Sequence, residues 1–331
     1  MQDLSKAKPL FAAYGECFLD WNLGGSYGSH PTNPVRAKLA IEKLIERLGA
    51  SIEVHDPAVD ADIKADKAEL AKVHDESYIH AVVENYVDAQ WGHEPSRPVA
   101  MAGLAMFRAT VRAVRALLHG EARVAFNPQG AKHHAQRDHS SGFCVFNDMA
   151  WAALEFKDAG LRPLYLDWDI HAGDGVYELL RKTDIPTLSI HNGAIYPGNS
   201  KMQDMARSRA GERYALHQVD EHAYNWNVTT TDGDEAFKWA IDEAAEVIDG
   251  YAPNVILLAA GADGHEGSNN LGLQNRYSYA GFEYAADAVA ALAEKHNARV
   301  LIGGAGGYQP LDHTPEIWAR VVARIYNRVS A

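Results

Sequence analysis

Asp167, Asp169, His171 and Asp174 fall within eight residues, in the stretch DWDIHAGDG, directly after the apolar run LRPLYL. If that run is a strand, side chains alternate between its faces, and Asp167, Asp169 and His171 point the same way. Acids crowded on one face beside a core repel one another and are costly to strip of water. A divalent cation would offset that charge and activate water. Asp263, which follows the run NVILLAA, completes a set with Asp169 and His171 of two carboxylates and one imidazole. Three protein ligands with an open fourth position is the catalytic pattern of zinc, while an oxygen-rich set also suits Fe(II) or Mn(II). Taken alone, Asp169 and His171 equally fit a buried polar pair.

His133 and His134 in AKHHAQRDHSSGFC, and Tyr308 after GGAGG, offer further chemistry. Neighbouring histidines in extended chain face opposite ways and are common on surfaces. They gain meaning from Asp167 and Asp174, the two acids left without a ligand role. A carboxylate that accepts from one imidazole nitrogen fixes the tautomer and raises the basicity of the other. Two histidines, two orienting acids and a metal-activated water make an amide-hydrolysis constellation. The glycines before Tyr308 let the backbone approach closely and leave a phenol to donate to an oxyanion. An ordinary half-buried tyrosine after a Gly-rich turn fits those residues as well. GGAGG neither opens a helix as GxGxxG nor precedes a lysine, which argues against a phosphate cradle.

Positioning these groups falls to helix-period segments that alternate with short apolar runs. The periodicity predicts helices over 37–49, 99–120, 147–160, 175–182, 234–251, 283–296 and 314–327, and strands over 122–126, 162–169, 187–191, 254–263 and 299–304. Asn147 or Asp148 suits a helix cap, as does Thr314 ahead of Pro315. The alternation predicts an α/β fold, with a parallel sheet covered by helices on both faces, in one domain over 1–331. The polar clusters fall at the carboxyl ends of predicted strands, where such sheets bind ligands.

Composition bounds the rest. With 331 residues, 47% apolar, the chain can bury a sizeable core. A net charge of −13 without a basic block argues against a nucleic-acid partner. Two cysteines are too few for a disulfide framework or a thiolate zinc site. The N-terminal residues lack an apolar signal core and no later run reaches membrane-spanning length, so a soluble, cytoplasmic protein without a membrane partner is expected.

Read in order, SHPTNPVR (29–36), VHDESYI (73–79), HHAQRDHSSGFCVFND (133–148), LDWDIHAGDGV (166–176), LSIHNGAIYPG (188–198), GADGHEG (261–267) and GGAGGY (303–308) form an ordered set. Together they resemble the metal-dependent histone deacetylase superfamily, which includes acetoin-utilisation proteins and acetylpolyamine amidohydrolases. The resemblance implies the arginase–deacetylase α/β sandwich and a zinc-dependent deacetylase acting on an acetylated lysine or a small acetylated amine. It places Zn²⁺ on Asp169, His171 and Asp263. It makes His134 the general base oriented by Asp174, gives His133 with Asp167 an electrostatic or acid role, and lets Tyr308 bind the carbonyl and then the oxyanion. Phe143 and Tyr196 match aromatic tunnel walls, and Gly142 offers its carbonyl to the scissile N–H. Leu271, or Asn270, stands at the tunnel mouth. Arg36 matches the arginine of an internal channel linked to acetate release. A structural K⁺ is implied near Asp167, Asp169 and Ser189, with the carbonyls of His171 and Ile190. An oligomer is compatible with all of this.

Three features depart from the family pattern. Ala172 stands where a second histidine is usual, and Lys132 where a neutral residue is usual. The Lys132 ammonium either lowers the histidine pKa values or points into the internal channel. GSNNLG (267–272) replaces a more usual Gly-Asp-Pro-Leu-Gly, and Glu94 is the candidate for the acid at the rim. Two rivals share much of the reading. A binuclear ureohydrolase needs extra bridging carboxylates, but Gly264 and His265 follow Asp263. A catalytically silent acyl-amine-binding protein would hold its ligand without turnover.

Overall fold

The computed structural model describes residues 8–23, 32–92, 94–193, 195–197, 214–228, 232–268 and 275–330, with backbone alone for 214–219. Its strands are β1 (Leu10–Ala13), β2 (Ile52–His55), β3 (Val124–Asn127), β4 (Pro163–Asp167), β5 (Thr187–His191), β6 (Tyr214–Asp220), β7 (Ala223–Val228), β8 (Val255–Ala259) and β9 (Arg299–Gly303). They form one sheet in the order β2-β1-β3-β9-β8-β4-β5-β7-β6. Every neighbouring pair is parallel except β6 with β7, an antiparallel hairpin at one edge. The helices are α1 (Val35–Leu48), α2 (Ile63–Leu70), α3 (Glu76–Val83), α4 (Arg97–Leu118), α5 (Asp148–Asp158), α6 (Asp174–Leu180), α7 (Asp234–Tyr251), α8 (Tyr279–Lys295) and α9 (His313–Val329).

Both faces of the sheet are buried, and the strand sequences show why. In β4 and β8, Leu164, Leu166, Ile256 and Leu258 enter the layer shared with α1, α7, α8 and α9. Tyr165, Val255, Leu257 and Ala259 enter the opposite layer, against α4 and α5. Continuous apolar runs are what strands covered on two faces require. Asn147 caps α5 as expected, its side chain accepting the Ala150 N–H at 3.0 Å.

Four expectations need correction. The strand expected over 254–263 ends at Ala259, and the one expected over 162–169 ends at Asp167. Beyond it, the Asp169 N–H donates to Asp167 Oδ1 at 2.9 Å and the Ile170 N–H to Asp263 Oδ1 at 3.2 Å. Side-chain carboxylates thus take the backbone donors a sheet ladder would have used. Asp169 and His171 therefore sit on a loop. The cap of the last helix is Asp312 rather than Thr314, which lies inside α9 and accepts the Gln309 N–H at 3.1 Å. Finally, β1, β2, α2, α3 and the β6–β7 hairpin lie outside the expected elements. β1 and β2 have four residues each, and β2 alternates Ile52, Glu53, Val54 and His55 near the solvent-exposed edge.

Candidate active site

Loops at the carboxyl ends of β3, β4, β8 and β9 meet at one place. Asp169 and His171 come from the loop after β4, Asp263 from that after β8, and Gly306 from that after β9. Ligand atoms of Asp169, His171 and Asp263 lie within 4.8 Å of one another, and all three residues are buried. His171 Nδ1 is 2.9 Å from Asp169 Oδ1 and 2.9 Å from Asp263 Oδ2. Burial works against a charged imidazole, but the two acids outweigh it and raise His171 to about 10. Asp169 is penalised by burial too, yet the His133 and His171 charges hold it well below the usual carboxylate range. For Asp263, burial and the Asp169 charge prevail and push it up to about 6. The cluster calls for a positive charge at its centre.

The donor set fits a divalent cation, with two hard oxygen ligands and one imidazole. Gly306 supports that fit. Its N–H donates to Asp169 Oδ2 at 2.6 Å, and a Cβ there would run into carboxylate oxygens of both Asp169 and Asp263. His265 does not join the group. Its ring lies 4.3 Å from that of His313 and 4.8 Å from Tyr279. Among the described residues, Asp169, His171 and Asp263 are the only cluster of this kind. That is a single-cation arrangement.

His133 and His134 lie beside it in a turn rather than in extended chain, with ring centroids 4.0 Å apart, so they do not face opposite ways. The turn is held by Asp148, whose oxygens accept the Ala131 N–H at 3.0 Å and the Lys132 N–H at 2.8 Å. His133 Nδ1 meets Asp167 Oδ2 at 2.7 Å, and His134 Nδ1 meets Asp174 Oδ1 at 2.6 Å. Both expected pairs are therefore present in the geometry. Their electrostatics differ. Burial lowers His133, but Asp167 and Asp169 overcome it and raise the ring to about 9. His134 is lowered by burial and by the His133 charge to about 4.

Two partners of the acids escaped the sequence reading. Tyr165 donates its hydroxyl to Asp167 Oδ2 at 2.7 Å, and Gln136 Nε2 donates to Asp174 Oδ2 at 3.1 Å. Tyr165 lies two residues before Asp167 on one strand face, a signal that could have found it. Gln136 carries no such signal.

Residues 30–325 match the histone deacetylase domain. The chain belongs to the histone deacetylase family. It is 29% identical to histone deacetylase clr6 of Schizosaccharomyces pombe over 88% of its length, covering 72% of that protein. It is also 29% identical to histone deacetylase 6 of Arabidopsis thaliana, over 85% of this chain and 60% of that one. Human histone deacetylase 1 is 28% identical, over 88% of this chain and 60% of the relative. The chain thus spans less than two thirds of the length of the latter two.

Tyr308, Tyr196, Gly142, Phe143 and Arg36 of this histone deacetylase domain lie near the same cluster. Tyr308 is buried, its ring 6.3 Å from His171 and 6.5 Å from Phe143. Tyr196 is half-exposed, 4.9 Å from the His134 ring, and its hydroxyl hydrogen-bonds Ser141 Oγ. Gly142 has φ +51, and a Cβ there would collide with the His134 ring. Phe143 follows with φ 63, its N–H donating to Gln90 Oε1 at 3.0 Å. Gln90, which holds the Phe143 backbone, escaped the sequence reading. Arg36 is buried and donates to the Gly307 carbonyl at 2.5 Å, which steadies the loop before Tyr308. Asn270 and Leu271 lie outside the described residues. Glu94 is exposed. The acid seen near residues 140–143 is Asp88, which is buried and accepts from the Ser140 hydroxyl at 2.6 Å. Ser189 pairs with Asp167 across β4 and β5, and its Oγ is 2.8 Å from His191 Nδ1.

Proposed function

We propose that this chain hydrolyses the N-acyl amide of an acetylated lysine or a related amine. The observation that carries the reading is the juxtaposition of the buried Asp169–His171–Asp263 cluster with two histidines, each held by its own carboxylate. Zn²⁺ or Fe(II) held by Asp169, His171 and Asp263 would supply Lewis acidity toward the amide carbonyl and the attacking water.

The side chains divide the proton work. His134, lowered to about 4, is neutral near pH 7. With Nδ1 committed to Asp174, its Nε2 is the basic atom that accepts the proton of the attacking water. His133, raised to about 9, holds its charge against Asp167 and offers electrostatic support and a proton to the departing amine. The Tyr308 phenol stays protonated, because burial and the Asp263 and Asp169 charges raise it well above its ordinary value. It therefore donates to the carbonyl oxygen as negative charge develops there. Phe143 and Tyr196 flank the entry and exclude water from an acyl-lysine side chain, while the Gly142 carbonyl accepts from the scissile N–H. A K⁺ beside Asp167, Asp169, His171, Ser189 and Ile190 would offset part of the remaining acid charge.

Supporting this reading are the family membership and the relatives' names, which describe histone deacetylases. The test is a panel of acetyl-lysine peptides, free acetyl-lysine and acetylated polyamines with the zinc-loaded chain. Turnover of at least one class is expected; inertness toward all three would contradict the proposal.

A further inference from the structure

Each of the two orienting acids receives a second side-chain donor besides its histidine, and for Asp174 that donor is Gln136. Asp174 opens α6, with Oδ1 2.6 Å from His134 Nδ1. Its other oxygen, Oδ2, accepts from Gln136 Nε2 at 3.1 Å. The same amide nitrogen donates to the His134 carbonyl, also at 3.1 Å. Both amide protons are thereby used, one on the main chain of His134 and one on the acid that orients its ring. The contacts close a loop from the His134 backbone through Gln136 and Asp174 to the His134 imidazole. Among the described residues, His134 and Gln136 are the only side chains hydrogen-bonded to the Asp174 carboxylate.

The turn that carries the histidines does not depend on the Gln136 side chain. The Val176 N–H donates to the His133 carbonyl at 3.1 Å, and the Gln136 N–H to the His139 carbonyl at 2.9 Å. Asn147 Nδ2 donates to the Ala135 carbonyl at 2.9 Å. Gly175 lets α6 lie directly on this turn, since a Cβ there would run into the Ala135 and His133 carbonyls. With the backbone held by these contacts, the effect of the amide falls on the carboxylate. The His134 side chain is 4% exposed and that of Asp174 13%, while Gln136 is half-buried. What exposure the pair has lies on Asp174, where Gln136 occupies the oxygen that His134 leaves.

The terminal torsion of an aspartate is broad and roughly two-fold. Held through one oxygen only, the carboxylate would swing the Nδ1–H bond with it and leave Oδ2 to exchanging water. Held through both, it fixes the ring plane and aims Nε2 in one direction, as productive geometry requires.

We propose that Gln136 is a positioning residue for His134: its carboxamide locks the Asp174 carboxylate against the His134 main chain, and a donor at that place, not the bulk of the side chain, is what the pair requires. Gln136 takes no proton in the reaction and acts only through Asp174. The clamp rests on these hydrogen bonds alone; its effect on turnover rests on the deacylase reading above.

Two variants of the full, metal-loaded chain separate donation from bulk. Gln136→Met keeps the length and removes the donor. Gln136→Glu keeps the shape and sets a second carboxyl against Asp174, which raises the pKa of the proton they share. Protonated, the introduced carboxyl donates as the amide did; ionised, it repels. With an acetyl-lysine peptide, Gln136→Met should lose at least about tenfold in kcat from roughly pH 6 to 8.5, with KM within about twofold and metal content unchanged. Gln136→Glu should stay within about threefold of wild type near pH 6 and fall at least about tenfold behind near pH 8.5. Wild-type kcat in Gln136→Met would overturn the proposal. So would equal losses in both variants across the pH range, the result expected from bulk alone.

A spectroscopic arm needs no turnover. In ¹⁵N-histidine-labelled protein, the His134 Nδ1–H is assigned by its absence from His134→Ala. It should give a slowly exchanging proton signal in the wild type and lose it to water exchange in Gln136→Met. An unchanged signal in that variant would overturn the clamp. A signal lost in the variant, beside a wild type that turns over no acyl-lysine substrate, would leave the clamp standing and remove the deacylase reading alone.

Discussion

The rings of His133 and His134 stand 4.0 Å apart, yet their surroundings pull their protonation in opposite directions, to about 9 and about 4. On His133 the charges of Asp167 and Asp169 outweigh burial, while on His134 burial and the His133 charge outweigh Asp174, which suits the pair to the acid and base roles proposed for it. His134→Ala should therefore cost roughly 10²–10⁴-fold in kcat, with metal content unchanged by elemental analysis. Wild-type kcat in that variant would remove His134 from the proton transfer.

Tyr308→Phe deletes a hydroxyl and nothing else. Loss of an oxyanion donor is worth about 2.7–4 kcal/mol of transition-state stabilisation, or roughly a hundred- to a thousandfold in kcat/KM. Steady-state kinetics beside a metal assay separates this from loss of the cation. An unchanged kcat/KM would contradict the assignment.

Gly306 is the position where the fold leaves room beside both ligand acids. Gly306→Ala should weaken metal binding at least tenfold, an order set by what disturbing a metal's surroundings costs. Competition with a chromogenic chelator measures it. Elemental analysis of the wild type should give one catalytic ion per chain, and two would favour the binuclear rival.

His74 provides a pH test of stability away from the reaction. It is buried, its Nε2 accepts the Asn147 N–H at 2.9 Å, and burial lowers it from 6.5 to about 4. Between those values the unfolded chain binds the proton and the folded chain does not. Stability from this group is thus complete above about pH 6.5 and is lost as pH falls toward 4, by roughly 2–3 kcal/mol. Urea midpoints measured from pH 7 to 5 should fall, and less steeply in His74→Gln. Equal slopes would contradict the assignment.

The Asp169–His171–Asp263 cluster was legible in the sequence because its residue types are scarce choices for buried positions near strand ends. The β4 and β8 strands were legible because both faces are buried and the runs are apolar throughout. What stayed hidden depends on the chain's path. Alternation along a strand suggested that Asp167, Asp169 and His171 share a face, but backbone donors turned toward carboxylates end β4 at Asp167 and a loop does the gathering. Adjacency suggested that His133 and His134 diverge, and the turn held by Asp148 brings them together. Lys132 had two readings, and the structure shows its ammonium buried over the Trp21 ring, beside a pocket also lined by His133 and His134. For Ala172, the structure shows a buried residue and offers no account of why histidine is absent there.

The most direct measurement is hydrolysis of an acetyl-lysine peptide in ¹⁸O-labelled water by the metal-loaded chain, with acetate and free lysine quantified together. The account predicts equimolar products, one ¹⁸O in each acetate from the attacking water, and loss of both products in Tyr308→Phe and His134→Ala. Acetyl-lysine left intact by metal-loaded, folded wild type, or acetate released equally by both variants, would contradict it.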